Sequence, residues 1–242
     1  MALRMAGGVI GYVLAGGRSS RMGRNKALLE LGGQTLLGHA VRNLLEVCDS
    51  VRVLSSCPDL TGYAPLVPDV HPECGPLGGL EAAMLDSGSD WNLFLPVDMP
   101  FMPSIFLKRW VRRTLAAADS GVKLAMFTVD GVPQPTLLLI HRAFFPFIEQ
   151  AVQRKAFKLY PVLAAAAEEL ARLENLPLEA VFHNLCWDSD TVPGDSRTDS
   201  FHDEVLRELS DVQRETRRLW FANLNTPEEF AEAQRLAGAL DT

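Results

Sequence analysis

Val9-Ile10-Gly11-Tyr12-Val13-Leu14-Ala15-Gly16-Gly17 is a short, nearly unbroken apolar run that passes straight into glycines. Such a run reads as a strand buried on both faces, the kind found inside a parallel sheet. Downstream, Leu36, Leu37, Ala40, Val41, Leu44 and Leu45 recur at helical spacing, and residues 51–54 read as the next strand, which completes a β-loop-α-β unit. Further strands are expected at 93–97, 124–129 and 136–140, with helices at 104–118, 144–152 and 158–173. The alternation predicts an α/β fold of three layers, a mostly parallel sheet with helices on both faces, whose ligands gather at the carboxyl ends of the strands. Near the end, residues 220–224 read as a strand. Thr226-Pro227-Glu228-Glu229 then opens a last helix reaching about residue 240, with Thr226 as cap, Pro227 in the first position and Glu229 completing a capping box.

Length and composition narrow the function. A chain of 242 residues with 48% hydrophobic content supports one core, so a single domain over 1–242 is expected. The net charge of -7 and a pI near 5.3 argue against a nucleic acid as partner. No run reaches the roughly 18 apolar residues of a membrane span, so no membrane partner is expected. The N-terminus lacks the apolar stretch of a signal peptide, and Cys48, Cys57, Cys74 and Cys186 form no C-x-x-C pair, which together point to reduced thiols in the cytoplasm. His71 with Cys74, and His183 with Cys186, lack matched zinc spacing. The negative charge is concentrated: residues 184–216 hold nine acids against three arginines, a net of -6. The stretch 173–218 is therefore read as an acidic insertion that repels phosphates and lies away from the pocket. It is expected to be a mobile surface element. Within it Pro193-Gly194-Asp195 suits a turn, while Val205, Leu206, Leu209 and Val212 have the spacing of an amphipathic helix able to pack on the body or a partner.

The chemistry is concentrated just after the first strand, in Leu14-Ala15-Gly16-Gly17-Arg18-Ser19-Ser20-Arg21-Met22-Gly23-Arg24-Asn25-Lys26. A loop that wraps a triphosphate needs glycines, so that backbone N–H groups approach the oxygens, and cations to offset about four negative charges. Gly16, Gly17 and Gly23 meet the first need; Arg18, Arg21, Arg24 and Lys26 meet the second. The spacing fits neither the P-loop nor the G-x-G-x-x-G dinucleotide fingerprint.

This segment resembles the L-A-G-G-x-S-x-R-M-G-x-x-K signature of nucleotidyltransferases that activate small molecules with NTPs, in particular the molybdenum cofactor guanylyltransferases. Further matches follow in order: Asp69 before Gly75-Pro76-Leu77-Gly78-Gly79-Leu80, Pro96-Val97-Asp98-Met99-Pro100, Gln134-Pro135-Thr136, and Phe221-Ala222-Asn223-Leu224-Asn225-Thr226-Pro227. The likeness covers about residues 9–160 and 219–240. It implies a nucleotide-diphospho-sugar-transferase-like fold and the transfer of GMP from GTP to the terminal phosphate of molybdopterin. Leu14, Ala15, Gly16 and Gly17 would hold the nucleotide, with Arg21 and Lys26 on its phosphates. Asp98 would bind Mg²⁺, or Mn²⁺ in its place, as a carboxylate ending a buried strand at the ligand edge is suited to do. Arg21, Lys26 and Asp98 are thus the expected catalytic set.

The same resemblance puts Asp69 at the nucleotide, and Gly75, Pro76, Leu77 and Gly78 near the base ahead of a short helical stretch over 80–85. Asn223 and Asn225 would lie near the acceptor. Two departures stand out: Ser55-Ser56-Cys57 occupies the place of a usual asparagine, leaving Ser55 as the nucleotide contact there, and Gln153-Arg154-Lys155-Ala156-Phe157-Lys158 keeps basic character without the usual glycine, leaving Lys158 for the acceptor phosphate. GTP and molybdopterin are the implied substrates, with a molybdoenzyme or cofactor-delivery protein as transient partner. The alternatives are a cytidylyltransferase acting on molybdopterin or a sugar or polyol phosphate, and a non-catalytic nucleotide-binding partner in cofactor delivery.

Overall fold

The computed structural model describes residues 8–16, 25–189 and 200–240, and the expected turn at 193–195 lies outside them. Its strands are β1 (Val9–Leu14), β2 (Glu30–Leu31), β3 (Gln34–Thr35), β4 (Ser50–Leu54), β5 (Leu66–Val67), β6 (Trp91–Pro96), β7 (Leu124–Val129), β8 (Val132–His141) and β9 (Phe182–Trp187). The helices are α1 (Leu36–Leu45), α2 (Gly75–Asp86), α3 (Ser104–Ala116), α4 (Phe145–Gln153), α5 (Leu159–Glu174), α6 (Leu178–Val181), α7 (Ser200–Glu208), α8 (Asp211–Glu215) and α9 (Pro227–Arg235). Among the described residues one sheet runs β5-β4-β1-β6-β8-β7-β9, and β2 with β3 forms a small hairpin.

The expected α/β class holds, and the departure from parallel order has a local cause. Asp130 and Gly131 both have positive φ, 49° and 79°, in a two-residue turn between β7 and β8. Such a turn returns the chain antiparallel, so β8 inserts between β6 and β7 and pairs antiparallel with each. The other pairings, β1 with β4 and β6, β4 with β5 and β7 with β9, are parallel.

Alternation along the central strands sorts side chains into two cores. Val9 and Val13 of β1 and Leu93 and Leu95 of β6 face α1 and α3, whereas Tyr12 and Phe94 face α2, α4 and α5. No helix among the described residues is long and apolar enough to cross a membrane.

Three expectations of the fold need correction. Residues 220–224 are not a strand: a short 3₁₀ turn, Arg217–Leu219, leads into irregular chain. The apolar signal comes instead from Trp220 and Phe221, buried against the Phe106 ring. Periodicity cannot distinguish an apolar run in a strand from aromatic anchors in a loop. The described part of the acidic stretch is also anchored rather than loose. Phe201, Val205, Leu206 and Leu209 are 0–4% exposed in the core on the α3 side, and β9, within the same stretch, extends the sheet. Arg109 of α3 pairs with Glu208 of α7. Of the two readings of α7, packing on the body is the one observed. The last helix ends at Arg235, earlier than expected, followed by a 3₁₀ turn, Ala237–Ala239.

Candidate active site

The carboxyl ends of β1 and β6 lie side by side, Leu14 opposite Pro96, and the Val97 N–H donates to the Leu14 carbonyl at 3.2 Å. From β1 the chain moves outward to β4 and β5, then returns to the other side of β1 as β6. Strand order therefore reverses at β1, and the crevice at such a reversal is where open α/β sheets receive ligands. A cavity of about 740 Å³ opens there. Leu14, Gly16, Leu54 and Pro96 line it from the strand ends, Asp69, Glu73, Gly75, Pro76 and Gly79 from the loop and start of α2, and Asp98, Thr136 and Asn223 from other segments.

Beside the cavity the chain brings a cation to Asp98. The Asn25 side chain caps the next turn, accepting from the Ala27 N–H at 3.1 Å. Lys26, the first residue of that turn, donates from Nζ to Asp98 Oδ2 at 2.9 Å and to Asn225 Oδ1 at 2.9 Å. The Lys26 and Asp98 side chains are only 17% and 21% exposed. Asn225 is held in turn by the α9 capping box, where Glu229 accepts from the Asn225 and Thr226 N–H groups at 2.6 and 2.9 Å. The Leu224 N–H closes the arrangement by donating to the Asp98 carbonyl at 3.1 Å. Lys26, Asp98 and Asn225, spread over 199 residues of sequence, thus meet at one point.

The expected site residues divide as follows. Leu14, Gly16, Asp69, Gly75, Pro76, Asp98 and Asn223 line the cavity, and Lys26 and Asn225 adjoin it through Asp98. Gly17 and Arg21 lie outside the described residues. Ala15 is half-buried and packs toward the α1 and α3 core. Ser55 is buried, its hydroxyl accepting from the Cys57 N–H at 3.1 Å, and it is not in the lining. Lys158 lies elsewhere, in a groove between α4 and α5 that Arg154, Lys155 and Phe157 also line.

The short helical stretch expected over 80–85 is the second half of a longer helix, because α2 begins at Gly75. Residues 75–80 are therefore its first turns and not a loop, and their side-chain directions follow a helical period. Gly75 and Gly79, one turn apart, reach the cavity; Leu77 is fully buried in the core, and Gly78 faces the preceding loop. Gly79, Glu73, Leu54, Pro96 and Thr136 are lining residues that received no role from sequence. Gly79, Pro96 and Thr136 lie inside the motifs that carry the resemblance, and a helix started at Gly75 would have pointed to Gly79.

Electrostatics favour a cation-dependent ligand. The ionisable groups of the described lining are three carboxylates, Asp69, Glu73 and Asp98. Burial, and secondarily the charge of Glu81, raise the Asp69 pKa above the ordinary aspartate value. An anionic nucleotide can enter such a cavity only with cations beside it, and Lys26 stands at the Asp98 end.

A strand-end cavity with a lysine–aspartate pair beside it, in this sheet order, is the arrangement of a nucleotidyltransferase. Residues 11–171 match the family profile described as the MobA-like NTP transferase domain, and the chain belongs to that family. A molybdenum cofactor guanylyltransferase from Serratia proteamaculans is 30% identical over 185 residues, 73% of this chain and 89% of the relative. Among solved structures, molybdopterin-guanine dinucleotide biosynthesis protein A from Archaeoglobus fulgidus superposes with a TM-score of 0.62 at 19% identity, covering 95% of this chain and 98% of its own. A 2-C-methyl-D-erythritol 4-phosphate cytidylyltransferase from Thermus thermophilus gives 0.53 at 15%, covering 94% and 98%. At these identities the two structures speak for the fold.

Proposed function

We propose that this chain transfers GMP from GTP to the terminal phosphate of molybdopterin and releases pyrophosphate. The observation that carries the reading is the Lys26–Asp98 pair, whose aspartate lines the switch-point cavity, in a chain whose relatives bear the guanylyltransferase name. An acceptor phosphate oxygen attacks the α-phosphorus of GTP, the bond from that phosphorus to the bridging oxygen of the β-phosphate breaks, and pyrophosphate leaves. A phosphate nucleophile is already ionised near neutral pH, so the chain need supply no strong base; it aligns the reactants and stabilises charge. In this reading Lys26 and Arg21 act on the phosphates, and Asn223 and Asn225 serve the acceptor.

The donor set fits a magnesium ion. Among the described residues no group of three or more His, Cys, Asp and Glu is placed to hold a metal, while Mg²⁺ commonly takes one or two carboxylates and completes its shell with phosphate oxygens and water. Asp98 would hold it, and the ion would offset phosphate charge; Mn²⁺ would serve in the same place. In the cavity wall Leu14 and Leu54 pack beside Gly79, and the Asp69 carboxylate lies next to them. Guanine presents adjacent N1–H and N2–H₂ donors to such an acceptor, and cytosine has only its N4–H₂ group.

Incubating the purified protein with each of the four NTPs, Mg²⁺ and molybdopterin, and following pyrophosphate, tests this directly. GTP should outperform CTP by at least about tenfold, roughly 1.4 kcal/mol in the transition state. Equal or reversed preference would remove the guanylyl assignment, and binding without pyrophosphate release would favour the non-catalytic reading.

A second measurement concerns the acidic stretch. Replacing residues 190–199 with a short Gly-Ser linker leaves α7 and its Phe201 anchor intact. GTP turnover should stay within about threefold, since changing the length of a connection alters closure entropy little. A large fall in kcat from a folded variant would mean that the segment acts at the site. We assign any contact with a molybdoenzyme or delivery protein to this acidic surface, and its loss in the same variant is the check.

A further inference from the structure

The loop between β5 and α2 crosses the first turns of the helix, and two contacts hold it there. The first depends on Gly78: a Cβ at that position would meet the His71 carbonyl oxygen at 3.1 Å and Cys74 Cβ at 3.0 Å, so the absence of a side chain lets the loop lie directly on α2. The second is a bond from loop to helix, His71 Nδ1 to Glu81 Oε2 at 2.7 Å. An ionised carboxylate only accepts, so we assign the proton to Nδ1. The His71 side chain is 55% exposed and that of Glu81 only 3%. A carboxylate that far from water is costly unless it is bonded, and its partner belongs to the loop. Lifting the loop would break this bond, so Glu81 favours the docked position.

Asp69 rides on this loop. Its Oδ1 lies 3.9 Å from where a Gly79 Cβ would stand, at the wall of the cavity. The mechanism above gives Glu81 and His71 no role, yet both act on the position of the group proposed to read the base. We infer that Glu81 is a positioning residue for nucleotide recognition: through His71 it staples the loop onto α2 and so presents the Asp69 carboxylate to the base. This rests on the reading that Asp69 contacts the nucleotide.

The arrangement also sets a pH dependence. The charged and titratable groups around Asp69 are Glu81 from α2, His71, Glu73 and Cys74 from its own loop, and Asp98 from the end of β6, with Lys155 beyond Cys74 at the end of α4. Asp69 accepts from both guanine donors, N1–H and N2–H₂, only when ionised, because protonation turns one of its oxygens into a donor, and burial followed by Glu81 raises its pKa. Nucleotide affinity is therefore lost as pH falls through that raised value. Removing the Glu81 charge should move the loss to lower pH.

The test is titration of a fluorescent mant-GTP with the full-length protein across pH, alongside steady-state kinetics. Glu81→Ala and His71→Ala should each raise Kd and KM by about tenfold, the scale of one lost charge-assisted hydrogen bond. Their kcat should change less than about twofold, and the double variant should be no weaker than either single one. Glu81→Gln, whose amide oxygen still accepts from His71, should keep affinity near neutral pH and shift the acid limb downward. A merely structural Glu81 would leave that limb in place. Unchanged Kd in the folded His71→Ala variant, or an unmoved limb in Glu81→Gln, overturns the proposal, and these two variants decide it even if Glu81→Ala fails to fold. If the wild type prefers another NTP the guanylyl reading falls by itself, and the staple is tested with the mant derivative of the preferred nucleotide.

Discussion

Asp98→Asn and Lys26→Ala are each expected to lower kcat/KM for nucleotide transfer by about two orders of magnitude or more, roughly 2.7 kcal/mol of transition-state stabilisation. Asp98 is one of the three carboxylates in the described lining of the cavity, and Lys26 is paired with it. Asn in place of Asp98 keeps the shape and the backbone carbonyl that accepts from Leu224, but loses the charge that draws both Lys26 and a divalent cation. Ala in place of Lys26 removes the cation that offsets the phosphates and also the bond to Asn225. The two residues serve the same charge, so the double variant should be much less damaging than the product of the singles. Stability should respond only moderately. About a fifth of the pair's surface stays exposed, so losing one partner should cost less than the roughly 3–5 kcal/mol of a fully buried pair. Melting curves measured beside the kinetics separate the cases: activity lost only in proportion to unfolding would make this a structural ion pair.

Phe106→Ala should be the most destabilising of the substitutions considered, by about 3–5 kcal/mol. The Phe106 ring is fully buried and meets Phe127, Trp187, Phe201, Trp220 and Phe221 with centroids 5.1–5.6 Å apart. One ring of α3 thus joins β7, β9, α7 and the segment leading to Asn223 and Asn225. Against a total stability of about 5–15 kcal/mol that loss is large, and Tm should fall by about 10 °C for a chain of this size. Below the transition the folded variant should also show a higher KM for the acceptor, because Trp220 and Phe221 anchor the stretch that carries both asparagines. A loss under about 1 kcal/mol in denaturant titrations would mean that the surrounding rings close the gap and that the cluster is redundant.

Much of this protein was legible in its sequence because the relevant physics is local. Val9 to Leu14 reads as a buried strand from its composition alone, and the β4, β6, α1 and α3 signals follow from period and length. The α9 start is written in Thr226, Pro227 and Glu229, and the capping box forms as expected. The Asp130-Gly131 turn was there to be read as well, and would have shown that β8 runs against its neighbours.

Tertiary structure alone decided which distant residues meet. Lys26, Asp98 and Asn225 converge because β1 and β6 are sheet neighbours and the C-terminal segment hangs on the backbone of Asp98, and no local signal encodes that. Gly79 faces the cavity while Leu77 faces the core because α2 begins at Gly75, so a helical period, and not a loop, sets their directions. Lys158 falls in the α4–α5 groove for a similar reason, since α5 starts just after it. Trp220 and Phe221 look like strand residues in one dimension and are loop anchors in three, because burial depends on what the rest of the chain places against them. Short-range propensity fixes the elements, and the packing of those elements, whose free energy is shared across both faces of the sheet, fixes the site.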